Sequence, residues 1–153
     1  MAIDRSAPVL ACAWLGQMYR DGHQALIGWI DLDPAVRPPR SDGTRDVEVR
    51  LETGTMEPGP ELDVHLGACA ARIRDALDHL PGLKRYAADH APADWGRHYA
   101  AQPGLPLPER LFLDGIEVSE QLLVSLVFDF GDLDQLTLSL DSDGGAARVF
   151  LIP

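Results

Sequence analysis

Asparagine is missing from the chain, and Lys84 is its one lysine, so arginine supplies nearly all of the positive charge. That bias reflects the codon supply of a GC-rich, bacterial type of genome rather than a folding constraint. Cysteine is almost as scarce. Cys12 and Cys69 are too few for a disulfide framework, so the fold must rest on burial, and both are read as reduced thiols of a cytoplasmic protein. No apolar run approaches the roughly 18 residues of a membrane span, and no membrane partner is expected. Clustered lysine and arginine are missing too, and with them the phosphate-neutralising surface that nucleic acid requires. There is no glycine-rich phosphate loop, no G-x-S-x-G elbow and no H-E-x-x-H helix, which makes an enzyme the less favoured reading. No four ligands have the spacing of a structural zinc site, so neither metal nor cofactor is expected.

What the chain has is acid. Its 24 Asp and Glu against 13 Lys and Arg give a formal net charge of -11 over 153 residues. A charge of that size keeps a protein soluble, and it also steers basic partners toward the surface while repelling acidic ones. With 46% hydrophobic and 24% charged residues the composition is that of a globular protein, and the length suits a single domain over 1–153. The run Val9-Leu10-Ala11-Cys12 has the form of a lipoprotein cleavage box. Only Ala7 to Leu10 precede the cysteine as an apolar stretch, and the charges of Asp4 and Arg5 cancel, whereas an export signal needs a basic start and roughly 7–15 apolar residues.

The order of patterns predicts an α+β fold. Apolar segments at 8–19 and 24–32 flank Asp21-Gly22, which signals an N-terminal hairpin. After proline-rich residues 33–44, Val47, Val49 and Leu51 alternate with Glu48, Arg50 and Glu52 as in a half-buried strand. Leu62, Leu66, Cys69, Ile73, Leu77 and Leu80 recur at intervals of three and four, the stripe of one long amphipathic helix that starts at Pro60 and stops at Pro81-Gly82. A short helix follows over 83–90. Residues 92–110 read as a packed connection. From Leu111 the period becomes two, with Leu122, Val124, Leu126, Phe128 and Phe130 on one face of a strand, predicting a C-terminal antiparallel β-meander within a sheet of four or so strands with the long helix across one face.

Asp129-Phe130-Gly131 spells the metal-binding tripeptide of protein kinases, but the chain is too short for that fold and lacks its other loops. Asp141-Ser142-Asp143-Gly144 opens like a calcium loop, yet Ile152 stands where the bidentate glutamate belongs, so both are read as turns. His65 with Cys69, Asp75 with His79, and Asp94 with His98 are spaced to meet on a helix. Cys69 falls inside the apolar stripe and is expected to be a small buried hydrophobe, while Asp75 with His79 is expected to be a solvated pair. His65, Arg72 and His79 repeat every seven residues along one edge of that stripe. With Trp95, His98 and Tyr99 of the connection they make a candidate ligand-binding set, the alternative reading being a small enzyme or ligand-binding domain with its pocket there.

The series Trp29-Ile30-Asp31-Leu32, Val47-Glu48-Val49-Arg50-Leu51, the amphipathic helix, Val127-Phe128-Asp129-Phe130-Gly131-Asp132 and Leu138-Ser139-Leu140-Asp141 resembles small bacterial α+β domains of the toxin-immunity type. That resemblance carries no functional residue across. It implies an immunity protein that occludes a basic protein partner, and the acid-rich turns at Asp129, Asp132, Asp134, Asp141 and Asp143, which extend the meander's rim, are the candidate contacts.

Overall fold

A computed structural model describes residues 10–12, 16–21, 24–31, 46–57, 59–91, 111–129, 135–143 and 145–152. They form eight strands and two helices, an α+β fold: β1 (Leu10–Cys12), β2 (Gly16–Asp21), β3 (Ala25–Asp31), β4 (Asp46–Glu52), α1 (Pro60–Asp78), α2 (Leu80–Asp89), β5 (Phe112–Val118), β6 (Val124–Asp129), β7 (Gln135–Leu140) and β8 (Ala146–Ile152). The expected hairpin is β2 with β3, in the register Tyr19 to Ile27 and Asp21 to Ala25. The sheet is larger than the four or so strands that the C-terminal pattern predicts. All eight strands follow one another in sequence order, and every neighbouring pair is antiparallel except β4 with β5. That parallel step joins the two halves of the chain, because the helices between them carry the backbone back to the starting end of the sheet.

Alternation decides what each strand buries. Val47, Val49 and Leu51 are fully buried while Glu48 and Glu52 are exposed. Val49 stands beside Ile116, Ile116 beside Leu126 and Leu126 beside Leu138, so one apolar row crosses four strands. Against it lies the stripe of α1, with Leu62, Leu66, Cys69 and Ile73 all buried. Burying each large aliphatic contributes roughly 1.5–3 kcal/mol before ordering entropy is subtracted. Helix α1 packs on β5 and β6, and its Arg72 donates to the Ser142 carbonyl in the β7–β8 turn at 2.7 Å. A helix that starts beside β4 and reaches the end of β7 must cross the strands rather than follow them.

Two boundaries differ from the sequence pattern. Helix α1 ends at Asp78, and Leu80 opens α2 instead of closing the long stripe. Pro81-Gly82 is not the stop; Pro81 sits in the first turn of α2, where its missing N–H costs no bond, and His79 makes the break by bonding its N–H to the Ala76 carbonyl at 3.1 Å. Strand β6 begins at Val124, not Leu122. Leu122 has φ of 65° in a turn closed by Ser119 N–H to Leu123 O at 2.9 Å and Leu123 N–H to Ser119 Oγ at 3.1 Å. Phe130 and the connection 92–110 lie outside the described residues. Among the described residues no helix is long and apolar enough to cross a membrane.

The sheet face turned away from α1 also holds buried groups. Ile27, Val127 and Thr137 are each under a tenth exposed, although their strand parity is that of Arg50, Glu117 and Ser125. Thr137 stands opposite Val127, and its buried Oγ1 has no hydrogen-bond partner among the described residues. Removing that hydroxyl while keeping the branched shape removes an uncompensated desolvation cost of roughly 1–3 kcal/mol. Thr137→Val is therefore expected to raise the unfolding free energy by about 1 kcal/mol, read as a higher urea midpoint at unchanged slope.

Candidate functional site

Helix α1 places the row His65, Arg72 and His79 seven residues apart, a rise of roughly 10 Å for each step. Each side chain has its own local partner. His65 is buried, with its Nε2 2.8 Å from the Glu52 carbonyl and 3.6 Å from the Sγ of buried Cys69. Donation to Glu52 fixes the Nε2–H tautomer and ties the end of β4 to α1, so this imidazole acts as a structural tether. Arg72 holds the β7–β8 turn. His79 is exposed, with Nδ1 2.8 Å from the Asp75 carbonyl and 3.7 Å from its Oδ1, which is the solvated pair expected at that spacing. The row thus does not converge on one point. Trp95, His98 and Tyr99, along with Asp94, lie outside the described residues.

Cys69 is fully buried in the apolar stripe, as its position in the pattern indicated. No group of three or more metal-ligating side chains occurs among the described residues. Burial lowers the pKa of Lys84 on α2, since desolvation disfavours its ammonium form.

Asp129 and Asp141 lie at opposite ends of the sheet. Successive turns of an antiparallel meander fall at opposite ends of the sheet, so Asp129 at the close of β6 and Asp141 beyond β7 are separated by about 20 Å, the length of a six-residue strand. Asp132 and Asp134 belong to the β6–β7 connection and lie outside the described residues. Asp141 also holds its own turn through one carboxylate oxygen. Its Oδ1 accepts from the N–H groups of Asp143 and Gly145, both at 2.9 Å, while its own N–H donates to Gly145 O at 2.8 Å. This is the turn chemistry expected of Asp-Ser-Asp-Gly.

The parallel β4–β5 step builds a different acidic surface. It brings the end of β4, the start of α1, the β5–β6 turn and the β7–β8 turn to the same end of the sheet. Exposed there are Glu52, Glu57, Glu61, Asp63, Glu120, Asp141 and Asp143. From β4 to β7 the rim spans roughly 15 Å, three strand spacings. Arg20, Arg50, Arg72 and Arg148 stand near the same end, with Arg72 engaged by the Ser142 carbonyl and Arg50 in register with Glu117, so the seven carboxylates outnumber the cations. Inside the rim, Glu120 rests its carboxylate against Gly54, whose φ of +55° is one that glycine adopts without strain. Five of these acids, Glu52, Glu57, Glu61, Asp63 and Glu120, are absent from the acidic turns singled out in the sequence. Their signal was hidden because only the topology, not local spacing, puts them together.

Searches against family descriptions, curated proteins and solved structures find no match to this chain.

Proposed function

We propose that this chain is a non-catalytic, cytoplasmic binding protein of the immunity type, which occludes a basic surface on a protein partner with the acidic end formed around the start of α1. The observation that carries the reading is the gathering of seven exposed carboxylates from four separate segments at one end of a chain of net charge -11. Opposed potentials of this kind speed encounter and select partners more than they add affinity. The opposite end also carries acids, with Asp31 in register with Asp46 on the backbone and Asp129 at the close of β6. The α1 end is favoured because its carboxylates are exposed on segments held by turns and a helix.

The test is affinity capture from the native host with the wild-type chain, with Glu57→Lys/Glu61→Lys/Glu120→Lys, and with Asp78→Lys/Asp89→Lys on the helices as a control that adds positive charge away from this end. A basic protein held by the wild type and the control, lost from the triple variant, and released between about 0.05 and 0.5 M salt is the expected result. Equal retention by the triple variant, or binding indifferent to salt, overturns the proposal.

A further inference from the structure

We propose that the outer edge of β8 is a pairing surface for a second copy of this chain, the two β8 strands running antiparallel across a two-fold axis. Strand β8 is last in the sheet order and bonds to β7 on one side. Among the described residues no strand pairs with its other side. Alternate N–H and C=O groups therefore point outward along seven residues. Soluble proteins blunt such an edge with proline, charge, a bulge or brevity. The sequence of β8, Ala-Ala-Arg-Val-Phe-Leu-Ile, has no proline and one charge. The single irregularity in its ladder to β7 falls at the Leu140 end, and the stretch from Arg148 to Ile152 stays in continuous register. Its apolar residues occupy both parities, Val149 and Leu151 in register with Leu138 and Leu136, and Phe150 in register with Thr137. The opposite edge, β1, is blunted by being only three residues long.

The chemistry of the strand selects its own copy. Antiparallel pairing centred on Val149 sets Arg148 opposite Phe150 of the other copy and Ala146 opposite Ile152, so the one charge never faces its twin. A basic segment would meet Arg148 instead. Two-fold pairing uses up both β8 edges and leaves only the short β1 edges, so assembly stops at two. Roughly six to eight backbone hydrogen bonds would form across the join.

Sedimentation equilibrium of the full chain from about 1 to 200 µM tests this, covering the range in which a modest interface becomes populated. The mass is expected to rise from one chain to two and no further. Phe150→Lys, with its circular dichroism unchanged, is expected to raise the dimer Kd about tenfold or more. Amide hydrogen exchange on the wild type needs no substitution, and the outward amides of 146–152 are expected to gain protection as concentration rises. A single-chain mass at the highest concentration overturns the proposal. So does a dimer that Phe150→Lys leaves intact, or β8 protection independent of concentration, which would give the edge to another segment of the same chain.

Discussion

Truncating Phe128 to alanine is expected to lower the unfolding free energy by about 3–5 kcal/mol, the range for removing a buried ring from a packed core. Phe128 is 1% exposed at the middle of the sheet, in register with Leu113 on β5 and Leu136 on β7, both fully buried. Its loss opens a cavity whose walls belong to two neighbouring strands held in ladders, so they cannot close in without breaking backbone pairing. At roughly 2–4 °C per kcal/mol for a chain this long, the Tm should fall by about 10 °C. Ser125, half-exposed three residues earlier in the same strand, is the control, and Ser125→Ala is expected to change stability by less than about 0.5 kcal/mol. A Phe128→Ala cost below about 1 kcal/mol would mean that this strand does not carry the core.

Ile73→Ala on α1 is expected to cost about 3 kcal/mol, within the 2–5 kcal/mol typical of deleting a buried aliphatic to alanine. Ile73 is fully buried within the cluster that includes Leu66, Cys69, Leu126 and Leu138. On the same helix Val64 is 73% exposed. Val64→Ala should fall within about 0.5 kcal/mol of the wild type, aided slightly by the higher helix propensity of alanine. Paired urea titrations distinguish the two sides of the helix, since both substitutions remove methyl-sized groups from a β-branched side chain. Equal costs would mean that the helix is rotated, and the placement of His65 toward Glu52 would go with it.

These expectations follow from patterns that local sequence carries well. The Val47 to Glu52 alternation and the spacing of Leu62, Leu66, Cys69 and Ile73 each have a period that names the element and its buried face. The turn at 141–145 was legible for the same reason, because an aspartate side chain bonds to nearby backbone groups whatever the tertiary context. Helix boundaries were less legible. Proline at 81 looks like a terminator, but it suits the first turn of a following helix equally well, and only the His79 break decides between the two.

Long-range pairing had no local signature at all. Nothing in β4 or β5 alone announces that they run side by side and parallel, since a crossover connection joins residues more than sixty positions apart. The candidate site suffered accordingly. Without that pairing, Glu52 and Glu120 look unrelated. The burial of Ile27, Val127 and Thr137 on the far face was likewise invisible, because alternation marks that parity as polar. His65 was placed at the edge of the stripe, and its burial depends on the Glu52 carbonyl brought within 2.8 Å by the same fold.

The β4–β5 pairing therefore governs both the architecture and the acidic end, and interstrand nuclear Overhauser effects on the isotopically labelled chain test it directly. Backbone contacts joining Glu48 with Gly115, Val49 with Ile116 and Leu51 with Val118, advancing in the same direction along both strands, are the predicted result. Contacts that advance in opposite directions, or none between these strands, would contradict it and separate Glu52 from Glu120.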